Sequence, residues 1–313
     1  MAVGALVRWL PLSAARWVGR RMGSLAYVLA YTERQRTFDH LALAFPDQDL
    51  AWRRATARAI FRNLGQSAVD FFCLSTLSPE ELETWIAEVR GLEHLTEGAK
   101  LGVGSLVVTP HLGHWELLAI WVSMRMPVAA VARQLFDQRM DHALNERRVG
   151  SGLKVFPRNT SVLPILRWLK EGGILGVLAD QDTSVDSLFC EFFGQPAKTP
   201  TGGVLLAQAA KARLLTGYCW RQTDGRYIIE FEPPIPVPGR EDRDVMALWP
   251  AAQEYTRRIE AKIRQHPEQW VWMHRRWKSR IDEDSNGWQS RQAQPCLDRI
   301  RQWVAAGRPE LKV

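Results

Sequence analysis

A chain of 313 residues with 46% hydrophobic and 24% charged side chains has the content of a packed protein, one large domain or two modest ones, and disorder is not expected away from its ends. Its net charge of +7 and fourteen tryptophans suit anionic headgroups at a membrane interface; lysines and arginines scattered along the chain, with no zinc-finger spacing and no RNA-binding aromatic signature, argue against nucleic acid. Cys73, Cys190, Cys219 and Cys296 form no CxxC pair, which argues against structural zinc and a disulfide-rich secreted scaffold and fits a reducing, cytoplasmic setting.

The N-terminal stretch ALVRWLPLSAARWVGRRMGSLAYVLAY is apolar but interrupted by Arg8, Arg16, Arg20 and Arg21. It is therefore no clean spanning helix and has no signal-peptide cleavage pattern; with Trp9, Trp17 and Tyr27 it reads as a basic helix lying in the bilayer interface. An ordinary helix packed on the domain is the alternative. Residues 34–75 are predicted helical, with Leu41, Phe45, Ile60, Leu64 and Phe71 among many arginines, and Ser78, Pro79 and Glu81 open a further helix.

Beyond that point the period changes. Predicted strands at 105–109, 127–132, 174–179, 214–220 and 226–232 alternate with helices at 114–124, 136–149, 160–171, 201–212 and 243–265. This order predicts an α/β fold, a mainly parallel or mixed central sheet covered by helices, with N-terminal amphipathic helices. The prolines of EPPIPVPG at 232–239 make a stiff connector and exclude a central strand there. The expected organisation is an N-terminal membrane-interacting helical region over 1–79, a catalytic domain over 80–285, and a peripheral tail over 286–313 with a short helix near 297–305.

The chemistry concentrates in SLVVTPHLGHWELLAIWV at 105–122, an apolar strand, a polar turn and an apolar helix with His111 and Glu116 at the joint. Carboxyl ends of strands are where α/β proteins build their sites. Gly113 gives the turn its backbone freedom, and Glu116, in the first helical turn, can reach back to one imidazole nitrogen and leave the other as an acceptor. Imidazole, with an ordinary pKa of about 6.5, is mostly neutral at pH 7 and suited to general-base work. There is no GxSxG elbow and no cysteine beside the motif, so the proton to be taken belongs to a substrate hydroxyl, and a thioester would supply a good leaving group. His111, His114 and Glu116 as metal ligands fit poorly, because HLGHWE is not HExxH; no metal and no cofactor is expected. A histidine satisfied in a turn, with Glu116 merely at a helix start, is the bland alternative.

TPHLGHWE resembles the HxxxxE block of the lysophospholipid acyltransferase superfamily, and within it the bacterial lipid A biosynthesis (lauroyl/myristoyl) acyltransferases. Further blocks follow in family order: Arg148 and Gly152 in NERRVGSGLKV, Asp180, Gln181 and Asp182 in VLADQDTS, FFGQPAKTPTGG at 192–203, and QWVWMHRRWK at 269–278. The resemblance implies a glycerol-3-phosphate acyltransferase-like fold, with His111 as base and Glu116 as its partner. It implies Arg148 as a contact for anionic substrate or developing charge, and substrate-binding places for Asp180, Gln181, Gly113, Thr199 and Gly202. It also implies an acyl carrier protein or acyl-coenzyme A donor, an anionic glycolipid acceptor, and a peripheral or monotopic position on the cytoplasmic face of the inner membrane. Phe192 and Phe193 could line an acyl channel, but buried aromatics are more often simply core, and the alternation of Trp270, Trp272 and Trp277 with Arg275, Arg276 and Lys278 suits a headgroup zone or a tie to the domain. The same motif would also serve a lysophospholipid, an ornithine lipid or another glycolipid, a thioesterase, or a membrane-binding protein without activity.

Overall fold

In the computed structural model, residues 10–74, 77–132, 148–158, 160–242, 244–280 and 288–308 are described. The described residues begin with three helices, α1 (Leu12–Leu29), α2 (Tyr31–Ala44) and α3 (Leu50–Leu74), followed by α4 (Pro79–Trp85). Ser78 caps α4 in a capping box with Glu81, as the sequence implied. Then come β1 (Ile86–Arg90), α5 (Leu92–Lys100), β2 (Ser105–Thr109), α6 (Trp115–Ser123), β3 (Val128–Ala132) and β4 (Lys154–Pro157). The chain continues through α7 (Val162–Lys170), β5 (Ile174–Leu178), β6 (Ser187–Phe192), β7 (Gln195–Pro200), α8 (Gly202–Ala210), β8 (Arg213–Arg221), β9 (Tyr227–Phe231), α9 (Trp249–Gln265) and α10 (Trp288–Ala305).

Seven strands form one sheet in the order β1-β9-β8-β2-β5-β3-β4. The five from β8 to β4 run parallel, and β9 pairs antiparallel to β8, so the sheet is mixed as expected. SLVVT is buried along its whole length because β2 lies at the centre with helices on both faces, where parallel strands read as continuous apolar runs. The expected strands and helices of the domain match to within a few residues, except that the helix over 136–149 falls almost wholly outside the described residues.

Three elements lacked a clear signal in the sequence. Strands β1 and β4 are short and edge-placed, and β6–β7 is a separate hairpin whose second strand, QPAKTP, carries two prolines. Its turn is Phe193-Gly194, both with positive φ, the two-residue geometry matching the twist of the flanking strands. Phe192 and Phe193 are core, packed on Trp270, Trp272 and Trp277.

The N-terminal helices are no separate layer. Leu41, Ala44, Ala57 and Ile60 share one apolar cluster with Phe193, Trp270 and Trp272. A buried polar cluster reinforces that seam, in which Asp70 of α3 accepts from Arg16 Nε of α1 (2.7 Å), Arg221 Nη1 of β8 (3.3 Å) and the Tyr227 hydroxyl of β9 (2.5 Å). The C-terminal helix is longer than expected and less peripheral, since Cys296, Ile300 and Trp303 are buried and Trp303 packs edge-on to Trp249. Among the described residues no helix is long and apolar enough to cross a membrane.

Candidate active site

The joint after β2 is stitched on both sides. His114 N–H donates to the Cys219 carbonyl of β8 (2.8 Å), Gly113 N–H to the Gln269 carbonyl (2.9 Å), and Val271 N–H to the His111 carbonyl (3.2 Å). Gly113 has φ +61°, and a Cβ there would lie 2.0 Å from the Cys219 oxygen, so no other residue fits. Helix α6 starts on His114, whose Nδ1 accepts from Leu117 N–H (3.3 Å). Burial lowers the His114 pKa to about 4.

Strand register brings the carboxylate of Asp180 to the imidazole of His111. Thr109 of β2 pairs with Leu178 of β5, and His111 and Asp180 each stand two residues beyond, at the same carboxyl edge. His111 Nδ1 lies 2.7 Å from Asp180 Oδ1, while Asp180 Oδ2 accepts from the His111 backbone N–H (2.7 Å) and the Trp270 indole (2.7 Å). A carboxylate only accepts, so Nδ1 carries the ring hydrogen and Nε2 keeps its lone pair. Burial alone would raise the Asp180 pKa, but the facing His111, its hydrogen bond, His274 and the indole together hold the carboxyl well below the usual range.

Glu116 does something else. It takes Arg148 in a two-pronged pair, Nε to Oε2 at 3.1 Å and Nη2 to Oε1, with both side chains mostly covered. The expectation that Glu116 holds the imidazole is therefore corrected in favour of Asp180, which the sequence had marked for substrate binding. From the first turn of α6 the Glu116 carboxylate meets Arg148, whereas the β5 edge faces the ring directly.

The Gln181 amide nitrogen lies 3.1 Å from His111 Nε2 and 2.9 and 3.0 Å from the two ring nitrogens of His274, whose ring centre is 4.8 Å from that of His111. Burial, with the neighbouring His111 charge, lowers the His274 pKa to about 4. Trp115 meets the His111 ring edge-on at 4.9 Å. The ring itself is 16% exposed and so reachable. Thr109 and Trp115 also border a narrow apolar slot of about 50 Å³ between α6 and the sheet, walled by Leu118, Val122 and Ile174 and floored by Gly176.

Two expected contributors stand elsewhere. Thr199 is buried on the β6–β7 hairpin, accepting from Arg276 Nη2 (2.8 Å), and Gly202 opens α8; neither is among the partners of His111. Trp270, Trp272 and Arg276 are almost completely buried, so the headgroup reading of QWVWMHRRWK gives way to the tie. Arg276 sits over the Phe192 ring and donates to the Lys198 carbonyl. Nothing local in QWVWMHRRWK signals that Trp270 reaches Asp180, and Gln181 meets His274 across ninety-three positions.

A histidine–carboxylate pair at the carboxyl edge of a mainly parallel sheet, beside an apolar slot and with no nucleophilic side chain in its contacts among the described residues, has the layout an acyltransferase can use. Comparison with known proteins narrows this. The profile described as "Bacterial lipid A biosynthesis acyltransferase" matches residues 1–279, and the chain belongs to that family. It is 28% identical over 280 residues to the lipid A biosynthesis lauroyltransferase of Escherichia coli K12, covering 88% of this chain and 89% of the relative. With the palmitoleoyltransferase of the same organism it shares 27% over 284 residues, 89% and 90% of the two chains. With the phosphatidylinositol mannoside acyltransferase of Mycobacterium tuberculosis (strain CDC 1551 / Oshkosh) it shares 25% over 231 residues, 72% and 71%.

Proposed function

We propose that this protein is a membrane-associated O-acyltransferase that moves a fatty acyl group from acyl carrier protein or coenzyme A to a hydroxyl of a lipid A precursor. The observation that carries the mechanism is the His111–Asp180 pair, fixed by strand register at 2.7 Å. Asp180 holds the tautomer, and the acceptor hydroxyl replaces the Gln181 amide at Nε2. Nε2 takes the hydroxyl proton as the oxygen attacks the thioester carbonyl. The tetrahedral adduct collapses, the C–S bond breaks, and the thiolate leaves with the proton that the imidazolium returns. No acyl-enzyme forms.

Arg148, anchored by Glu116 through two of its five N–H donors, keeps others for phosphate or for developing oxyanion charge. The apolar slot suits the acyl chain, although at about 50 Å³ it has to widen to take one. Membrane contact is supported by α1, whose Ala15, Gly19 and Gly23 face inward while Trp17, Met22, Leu25, Val28 and Leu29 are each about half exposed or more. A position on the cytoplasmic face of the inner membrane follows from a cytosolic donor and a lipid acceptor. A second reading, a phosphatidylinositol mannoside acceptor, is favoured by the mycobacterial relatives and uses the same chemistry.

The test is His111→Ala in the purified protein, with vesicle-borne acceptor, following thiol release and acylated lipid by mass spectrometry. Transfer is expected to fall by about 10³-fold or more with the fold retained. A folded variant with normal transfer removes the base assignment, and thiol release by the wild type without lipid product recasts the protein as a thioesterase.

A further inference from the structure

A second concave site lies at the same sheet edge. Between α1, α3 and the β8–β9 turn is a cleft of about 460 Å³ lined by Arg16, Arg20, Arg62 and Arg221, with Asn63 and Gln222 among its polar walls. Arg16 and Arg221 share the buried Asp70 carboxylate, and Arg221 Nη2 also donates to Asn63 (2.5 Å). Arg20 and Arg62 have no carboxylate partner among the described residues, and Arg62 Nε reaches only the Ser24 hydroxyl (3.3 Å). Of the acidic side chains on the wall, Asp224 is engaged by Arg226 (2.8 Å), leaving Glu268. Arg16 Nη2 is buried with no hydrogen-bond partner among the described residues, a donor whose desolvation is left uncompensated.

We infer that this cleft binds the phosphate headgroup of a membrane lipid and, resting on the acceptor reading above, that it holds the phosphate end of the acceptor. Guanidinium forks match phosphate oxygens in geometry and charge. The lipid source is favoured over a free anion because the cleft opens beside the exposed apolar face of α1: Arg16 and Arg20 stand one helical turn apart on the cleft side, and Trp17, between them in sequence, is exposed under Arg21. A recessed cleft of this size takes a headgroup and not the convex face of an acidic carrier protein. It also communicates with the catalytic joint, because Gln269 lines it while its carbonyl receives Gly113 N–H, and Arg221 closes β8, the strand beside β2.

The test is calorimetric titration of the full-length protein with dihexanoyl phosphatidic acid, dihexanoylglycerol, inorganic phosphate and acyl carrier protein, each against wild type, Arg20→Ala/Arg62→Ala and His111→Ala. Circular dichroism checks the fold. The phosphatidic acid is expected to bind, the glycerolipid without phosphate to bind at least about tenfold more weakly, and the double variant to lose about tenfold for phosphatidic acid. His111→Ala should bind as wild type, so a failed base assignment and a failed cleft are told apart. Unchanged affinity in the double variant overturns the site. Inorganic phosphate binding as tightly as the lipid assigns a free-anion site instead, and loss of carrier-protein binding alone assigns donor docking.

Discussion

Two aspartates, Asp70 and Asp180, have side chains with no exposure at all, and each accepts three hydrogen bonds, yet their partners differ in kind. Asp70 faces two guanidinium groups and a phenol, partners whose charge stays fixed through the working pH range. Asp180 faces an imidazole, an indole and a backbone amide, so the charge opposite it changes when the ring takes a proton. Burial therefore does not tell a clamp from a group that would orient a base. The chemistry of the partner is what differs.

The sharpest way to break this comparison is Asp180→Asn, which keeps shape but lets the amide misplace the ring tautomer. Turnover is expected to fall about 10³–10⁴-fold, far more than the accompanying drop in the urea midpoint accounts for, read by parallel transfer assays and unfolding curves. If stability collapses while the folded fraction keeps its rate, Asp180 is a clamp too. Asp70→Asn should do the reverse, costing about 3–5 kcal/mol of stability by stranding a buried guanidinium, with near-normal turnover in what stays folded. A slowed but fully stable Asp70→Asn would place that cluster in the reaction.

A smaller effect separates the histidines by pH. With the His114 pKa lowered to about 4, the folded and unfolded chains are both unprotonated there above about pH 6.5, and stability is unaffected. Between pH 6.5 and 4 only the unfolded chain takes up the proton, so stability falls with pH, by about 3 kcal/mol over the whole window. His114→Asn keeps an acceptor at the start of α6 and should flatten that part of the urea-midpoint profile; an unaltered slope assigns the acid sensitivity to other groups. The smallest effect concerns the slot. Gly176 shares its strand face with Ile174, so Gly176→Leu should fill the floor and reduce use of long-chain donors several-fold while sparing short ones. Equal losses for all chain lengths would mean the slot does not hold the acyl group.

Much of this was legible from residue order. The apolar strand SLVVT, the Gly113 turn and the alternation of strands and helices gave the sheet and the place of His111, because period and turn chemistry are local properties. The partner of His111 was not local. Glu116 is near in sequence and Asp180 is not, and only the pairing of β2 with β5 puts the second beside the ring; with Asp180 already at a strand's carboxyl end, the missing datum was strand order. The hairpin QPAKTP hid for a different reason, since prolines that exclude a central strand are tolerated in an isolated two-stranded ribbon. The tryptophans of QWVWMHRRWK misled in the same way, because an amphipathic residue type suits a membrane surface and a buried hydrogen bond alike.

The indole of Trp270 ties competence to completion of synthesis. A chain emerging from the ribosome has its imidazole and its aspartate long before residue 270 appears, but until then that acid lacks one of its three donors and Leu112 lacks its backbone bridge to Trp270. A premature stop shortly upstream would spare every strand of the sheet yet take away the indole at Asp180 together with the buried Trp272, Arg276 and the C-terminal helix, so truncation should cost the brace at the imidazole and the packing of the core at once.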